Sequence, residues 1–214
     1  MMIHAYQEIY LPRVQTVLGD AFDYAVNSCK VAGKDFVKMF DMSSVSKKIE
    51  NGEPAYISGK SGIEIAVEII DETTEYVVDI EPKNSFGRSK EYWIGWAICY
   101  YQWYSCRKYR EILNAIAYEE LEDMYNTLHE ADISKFVDIV DSRMRIYYKE
   151  TNLKRIRNLY GISQAELAKR SGVSLRSIQM YEQRNKNINK ASADTLYKIS
   201  KILGCSMDEL LEHM

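Results

Sequence analysis

Three glycines punctuate the last third of this chain. Gly161, Gly172 and Gly204 each close a stretch of helix-forming residues between about Thr151 and His213. Glycine is the residue that takes the left-handed conformation ending a helix abruptly. The spacing allows only short helices, and the segment reads as five of them. Ser163, with Glu166 three residues later, has the form of a capping box, which satisfies orphaned N–H groups at a helix start. Leu167 and Ala168 supply the inward face of that helix, and the small Ala168 lets a second helix cross closely. Ile178 and Tyr181 are placed to fill the crossing. Gly172 then ends the first helix of the pair and Ser174 caps the next, so a tight turn joins them.

Charge is divided along the chain in the same way. Residues 151–214 carry 11 Lys and Arg against 6 Asp and Glu, whereas residues 1–150 carry 17 against 25. The overall balance of −3 therefore hides a basic tail. A positive tail is what neutralisation of a phosphate backbone requires. The acidic half is expected to avoid DNA and to present either a solvated exterior or a surface for a basic partner.

The tail resembles the Cro and phage-repressor type (XRE-like) of helix-turn-helix. The pattern is met at Arg157, Gly161, Ser163-Gln164, Glu166-Leu167-Ala168, Gly172-Val173-Ser174, Ile178, Tyr181-Glu182 and the closing run from Gly204 to Leu211. It departs at Gln183-Arg184-Asn185, where the family often has a glycine, and Asn185 is expected to take the left-handed role. The resemblance implies a five-helix, lambda-repressor-like domain over 151–214, with a recognition helix from about Ser174 to Gln183 in the major groove. Leu175, Arg176, Gln179 and Met180 then face the bases, with Ser174 and Ser177 in the same contact set. Arg176 has the fork that bonds guanine O6 and N7, and Leu175 and Met180 suit a thymine methyl. Gln164 is expected to bond a phosphate at a helix start, and Lys186, Asn187 and Lys190 to follow the backbone. By the same resemblance Arg157 pairs with Glu182 in a structural role.

The first 150 residues read as a second, mostly helical domain with room for one short β segment. Helical periodicity runs from Val14 to Cys29, from Gly33 to Phe40, from Val45 to Ile49 and from Ser61 to Ile70. The run from Glu75 to Ile80 is the candidate strand, and Pro82 to Ser89 reads as a loop. Gly59-Lys60-Ser61 has the ending of a phosphate loop, but Pro54 stands where its first glycine is required, so Ser61 is better read as a helix cap. Tyr92 to Tyr104 holds all three tryptophans and is expected to be a nearly buried helix, with plain core favoured over an aromatic ligand pocket. Tyr109 to Ile116 and Tyr118 to Leu128 follow as helices. Asp132 caps a longer one that is expected to continue towards Asn152, because no Gly or Pro intervenes.

No catalytic residue, cofactor or metal site is expected. The cysteines form no CxxC pair and the three histidines are scattered. Cys99 and Cys106, seven apart, read as two turns on one helix face, too far for a disulfide there, and are expected to be buried thiols; of the two, Cys106 beside Arg107 and Lys108 is the less implausible thiolate. No secretory start and no apolar stretch of about 18 residues is present, which points to the cytosol and away from membranes. The leading expectation is a sequence-specific repressor that binds double-stranded operator DNA as a homodimer, not an enzyme. Its dimer contact would lie either on the apolar face from Ile133 to Tyr147 or in Leu203 to Leu211. The Tyr-Trp-x-Gly-Trp helix ahead of such a tail is similar to bacterial regulators set beside toxin-like genes. That similarity implies an alternative, an antitoxin-like protein whose N-terminal domain binds a protein partner while the tail autoregulates the promoter.

Overall fold

Pro12 stands in the first turn of a helix, where its missing N–H costs nothing. From there α1 runs Leu11–Asp23. In this computed structural model, which describes residues 4–75, 81 and 87–212, the chain divides into two compact units, 1–145 and 146–214. The periodicity expected to carry one helix to Cys29 instead widens after Asp23. The Cys29 N–H donates to the Tyr24 carbonyl at 3.0 Å, five residues back.

The first unit continues with α2 (Gly33–Met42), α3 (Ser44–Glu50), a second wide turn at Ala55–Gly59, and α4 (Gly62–Thr73). Ser61 caps α4, and Glu64 returns the bond to the Ser61 N–H, completing a capping box where a phosphate loop was the rival reading. Then come α5 (Lys90–Ser105), α6 (Tyr109–Ala115), α7 (Tyr118–Leu128) and α8 (Ile133–Tyr147). No strand occurs among the described residues. The candidate β segment lies outside them at 76–80, as do residues 82–86 of the expected loop.

The core of this unit is built on α1, which packs chiefly against α5 and α4. Close approach needs glycine. A Cβ on Gly95 of α5 would lie 2.6 Å from the Leu18 carbonyl oxygen, and one on Gly62 would lie 2.6 Å from that of Val17. Aromatic edges fill the centre. Phe22 meets Phe36 at 5.0 Å and Phe40 at 6.0 Å, and Phe40 meets Tyr109 at 4.8 Å. On the flank, Lys48 and Lys60 lie over the Tyr56 ring, and both bond Glu68, which also accepts the Tyr56 hydroxyl.

The aromatic helix is buried all round except along one stripe. Ile94, Ala97, Ile98, Cys99 and Tyr101 are fully enclosed, while Trp96, Tyr100 and Tyr104 stack along the outer face at 6.5 and 6.2 Å. Cys106 ends α5 in the left-handed region (φ 53), so it does not share a regular helix face with Cys99. Burial pushes the Cys99 thiol up to about 12, against hydrogen bonds from Tyr109 and Tyr6 that lower it. Burial also raises Cys106, in keeping with a thiol and not a thiolate despite Arg107 and Lys108 beside it. All four cysteines are free thiols.

The helix begun after Asp132 stops at Tyr147 instead of continuing to Asn152. Two interactions within the second unit account for the break. The Thr151 hydroxyl accepts the Lys154 N–H at 3.2 Å and so starts a new helix. The Arg184 guanidinium takes the carbonyls of Lys149 (2.8 Å) and Tyr148 (3.1 Å).

That second unit contains α9 (Asn152–Tyr160), α10 (Gln164–Ser171), α11 (Leu175–Glu182) and α12 (Ala193–Leu203). Single 3₁₀ turns lie at Ile188–Lys190 and Asp208–Leu210, the latter standing where the fifth helix was expected. Thr151, Ser163, Ser174 and Ser192 each cap a helix through the side chain. Leu153, Leu167, Ile178, Tyr181, Ile199 and Leu203 form the core, with Ala168 packed against it. No helix among the described residues of either unit is long and apolar enough to cross a membrane.

Candidate nucleic-acid interface

The turn between α10 and α11, Gly172 to Ser174, is three residues of local chemistry. Gly172 (φ 70) closes α10, and its N–H returns to the Ala168 carbonyl. Ser174 then accepts the Ser177 N–H at 3.1 Å and bonds the Ser177 hydroxyl at 2.9 Å. At α10 the expected capping box is half formed. The Ser163 hydroxyl accepts the Glu166 N–H at 3.0 Å, but the Glu166 carboxylate turns outward to Arg170 at 2.6 Å. An exposed guanidinium one turn ahead outcompetes the backbone N–H.

Behind α11 lies a buried ionic clamp. Arg157 grips Glu182 with two parallel bonds, from Nε at 2.6 Å and Nη2 at 2.9 Å, and its Nη1 donates to the Ile162 carbonyl at 2.7 Å. Hydrogen bonding to Glu182 raises the Arg157 pKa. Gln164 donates its amide to the same carboxylate at 2.8 Å. Glu182 therefore ties three helices together at one point: α9 through Arg157, α10 through Gln164, and its own α11. The pairing of Arg157 with Glu182 was legible in the sequence. The Gln164 contact was not, and it fixes the side chain that the family resemblance aims at a phosphate.

The opposite face of α11 is open. Ile178, Tyr181 and Glu182 are buried, whereas Leu175 and Arg176 are exposed, and Gln179, Met180 and Ser177 are half-buried. Leu175 and Arg176 thus stand at the solvent face near the helix start, with Gln179 and Met180 one turn on. Beyond the helix, Lys186 is exposed and places its ammonium 5.2 Å from the Tyr181 ring centroid. The Asn187 side chain accepts the Asn189 N–H at 2.8 Å and opens the 3₁₀ turn, at whose end Lys190 is exposed.

The exit from α11 corrects one expectation. The left-handed residue is Arg184 (φ 57), not Asn185. A β-carbon residue in that region is strained, and the compensation is the guanidinium, which holds the Tyr148 and Lys149 carbonyls and pairs with Glu212 at 3.1 Å. Glu212 also accepts the Asn152 N–H, and its own N–H donates to Asn189 at 2.8 Å. No local pattern signals these partners, which lie 23 to 60 residues apart in sequence.

Two short helices joined by a tight turn, the second exposed along one side and clamped along the other, define the class of the second unit. It is a helix-turn-helix DNA-binding domain of the regulator type. Residues 153–210 match the family model described as Helix-turn-helix. No family model matches the N-terminal half. No curated protein and no solved structure matches the chain.

Proposed function

We propose that this chain is a sequence-specific transcriptional repressor of the cytosol that binds operator DNA as a homodimer. The observation that carries the reading is the two-sidedness of α11: Leu175 and Arg176 exposed at its start, Tyr181 and Glu182 locked behind it. A helix held this way enters a major groove without rearranging. Arg176 reads guanine, Leu175 and Met180 meet thymine methyls, and Gln179 completes the base-facing set. Ser174, Ser177 and Gln164 bring polar groups to the backbone at the two helix starts, and Lys186, Asn187 and Lys190 follow the phosphates. Two copies would meet half-sites about one helical turn apart.

The test is a titration of full-length protein against its own upstream DNA and a scrambled duplex at two salt concentrations, repeated with Arg176→Ala. Specific binding should weaken by about 1–3 kcal/mol in the variant and fall with salt in both. Equal affinity for the two duplexes would remove sequence-specific autoregulation. A monomer in light scattering at micromolar concentration, with and without DNA, would remove the dimer.

A second reading, favoured by the acidic excess of residues 1–150, makes the N-terminal unit an antitoxin-like binder of a basic protein. Glu64, Glu68, Asp71 and Glu72 line an open groove on α4 beside Ile63, Val67 and Lys60; Glu68 is paired with Lys48 and Lys60, and the remaining acidic excess suits such a partner. Co-expression with the neighbour-encoded protein separates the readings, since a stable, salt-sensitive complex is expected only under this one.

A further inference from the structure

The first unit holds a cavity of about 200 Å³ where the start of α5 meets the end of α7 and the start of α8. Its walls are flat and aromatic. Trp93 meets Tyr125 at 5.8 Å and Phe136 at 5.5 Å, both edge-on, and Trp96 closes another side. The volume suits one substituted ring, since a dry cavity of about 150 Å³ accepts benzene.

The polar groups of this cavity share one character. Residues 1–150 carry eight more carboxylates than Lys and Arg, yet among the described residues no Asp or Glu lines the cavity. Arg88 and His129 do. The exposed Arg88 guanidinium lies 4.7 Å from the Tyr92 ring centroid; it makes no ion pair among the described residues, and its charge acts at longer range on the Asp20 carboxyl. His129 is stacked on Tyr125 at 4.6 Å. Its Nδ1 is held by the Tyr125 carbonyl at 2.8 Å, and its Nε2 lies 3.7 Å from exposed Glu130. Tyr92 also lines the cavity, and its hydroxyl is buried without a hydrogen-bond partner among the described residues.

We propose that this cavity is a binding site for a small planar aromatic carboxylate, with the ring among Trp93, Trp96 and Phe136 and the carboxylate at Arg88. Aromatic walls alone would equally suit a cation, because ring faces are electron-rich. The exposed Arg88 guanidinium, with no carboxylate among the described lining residues, selects the anion. This site owes nothing to the DNA-binding reading and stands or falls separately from it.

Two of the three tryptophans line the cavity, so tryptophan emission of the full-length protein reports its occupancy. The probe is benzoate, with benzyl alcohol as its neutral counterpart. Benzoate should give a saturable change, and benzyl alcohol and the exposed-site variant Arg88→Gln should each weaken it by about tenfold, the loss of one charge-assisted contact. Ala131→Phe fills the cavity from its wall and should abolish the response at unchanged far-UV circular dichroism. Should that variant not fold, Arg88→Gln carries the test alone. A non-saturating response, equal affinity for benzyl alcohol, or unchanged binding in Arg88→Gln would each overturn the assignment.

Discussion

The glycines within helices of the first unit and those that end helices in the second do opposite work. The former make space: Gly62 and Gly95 bring helices so close that an added Cβ would press on a backbone carbonyl. The latter make turns: Gly161, Gly172 and Gly204 have φ between 65 and 77, with nothing within 4 Å of an added Cβ. The larger unit is thus specified by contacts between distant segments, and the smaller by residues that settle each helix where it begins and ends. A fold of the second kind can be read from neighbouring letters. One of the first kind cannot.

The smaller unit has one exception to that local rule, and it should give the largest effect. Glu182→Ala leaves Arg157 buried without its carboxylate and should cost about 3–5 kcal/mol, seen as loss of the second unit's helix signal at lower urea. A cost below about 1 kcal/mol would mean that caps alone hold this unit.

The glycines come next, and they make the comparison sharp. Gly95→Ala should destabilise the first unit by a net of about 1–2 kcal/mol, because overpacking against the Leu18 carbonyl outweighs the gain in helix propensity. Gly95→Asn, larger still, should cost more. At Gly172 the order inverts. Alanine should cost about 1 kcal/mol for the left-handed backbone and asparagine less, since it tolerates that region. All three tryptophans belong to the first unit, so emission follows Gly95 variants and circular dichroism follows both. The same ranking of Ala and Asn at both sites would erase the distinction.

Ser163→Ala should remove about 1 kcal/mol from the second unit through a lost cap. Its effect should equal that of a bare cap, because Glu166 bonds Arg170 instead of completing the box.

The smallest effect is a shape against pH. Burial raises the Glu68 carboxyl, but bonds from Lys60, Tyr56 and Lys48 outweigh it and hold it down to about 2. A depressed carboxyl stabilises above its unfolded value near 4.5, and that contribution fades as pH falls towards 2. The stability gap between wild type and Glu68→Gln, read from the first unit's urea midpoint, should therefore be full at neutral pH and close across that window. A gap that persists at acid pH would make the cluster incidental.

What the sequence made legible follows the same division. The caps at Ser163 and Ser174, the glycine ends and the Arg157–Glu182 pair each depend on a short pattern or a family spacing. Missed were features decided by a distant rival. Arg184, and not Asn185, takes the left-handed turn because carbonyls of Tyr148 and Lys149 are there to receive it. α8 stops at Tyr147 although no Gly or Pro requires it. The α5 face bearing Trp96, Tyr100 and Tyr104 lies partly open, because composition reveals aromaticity but not which side the neighbours cover.

The clamp at Glu182 also bears on how such a domain changes over generations. The clamp that fastens α11 to its neighbours sits at the inner face and far end, while Leu175 and Arg176 are exposed at the near end. On the proposed reading, substitutions there alter what is recognised at little expense to folding. A lineage with this architecture is free to exchange one operator for another in single steps, each intermediate remaining a folded protein.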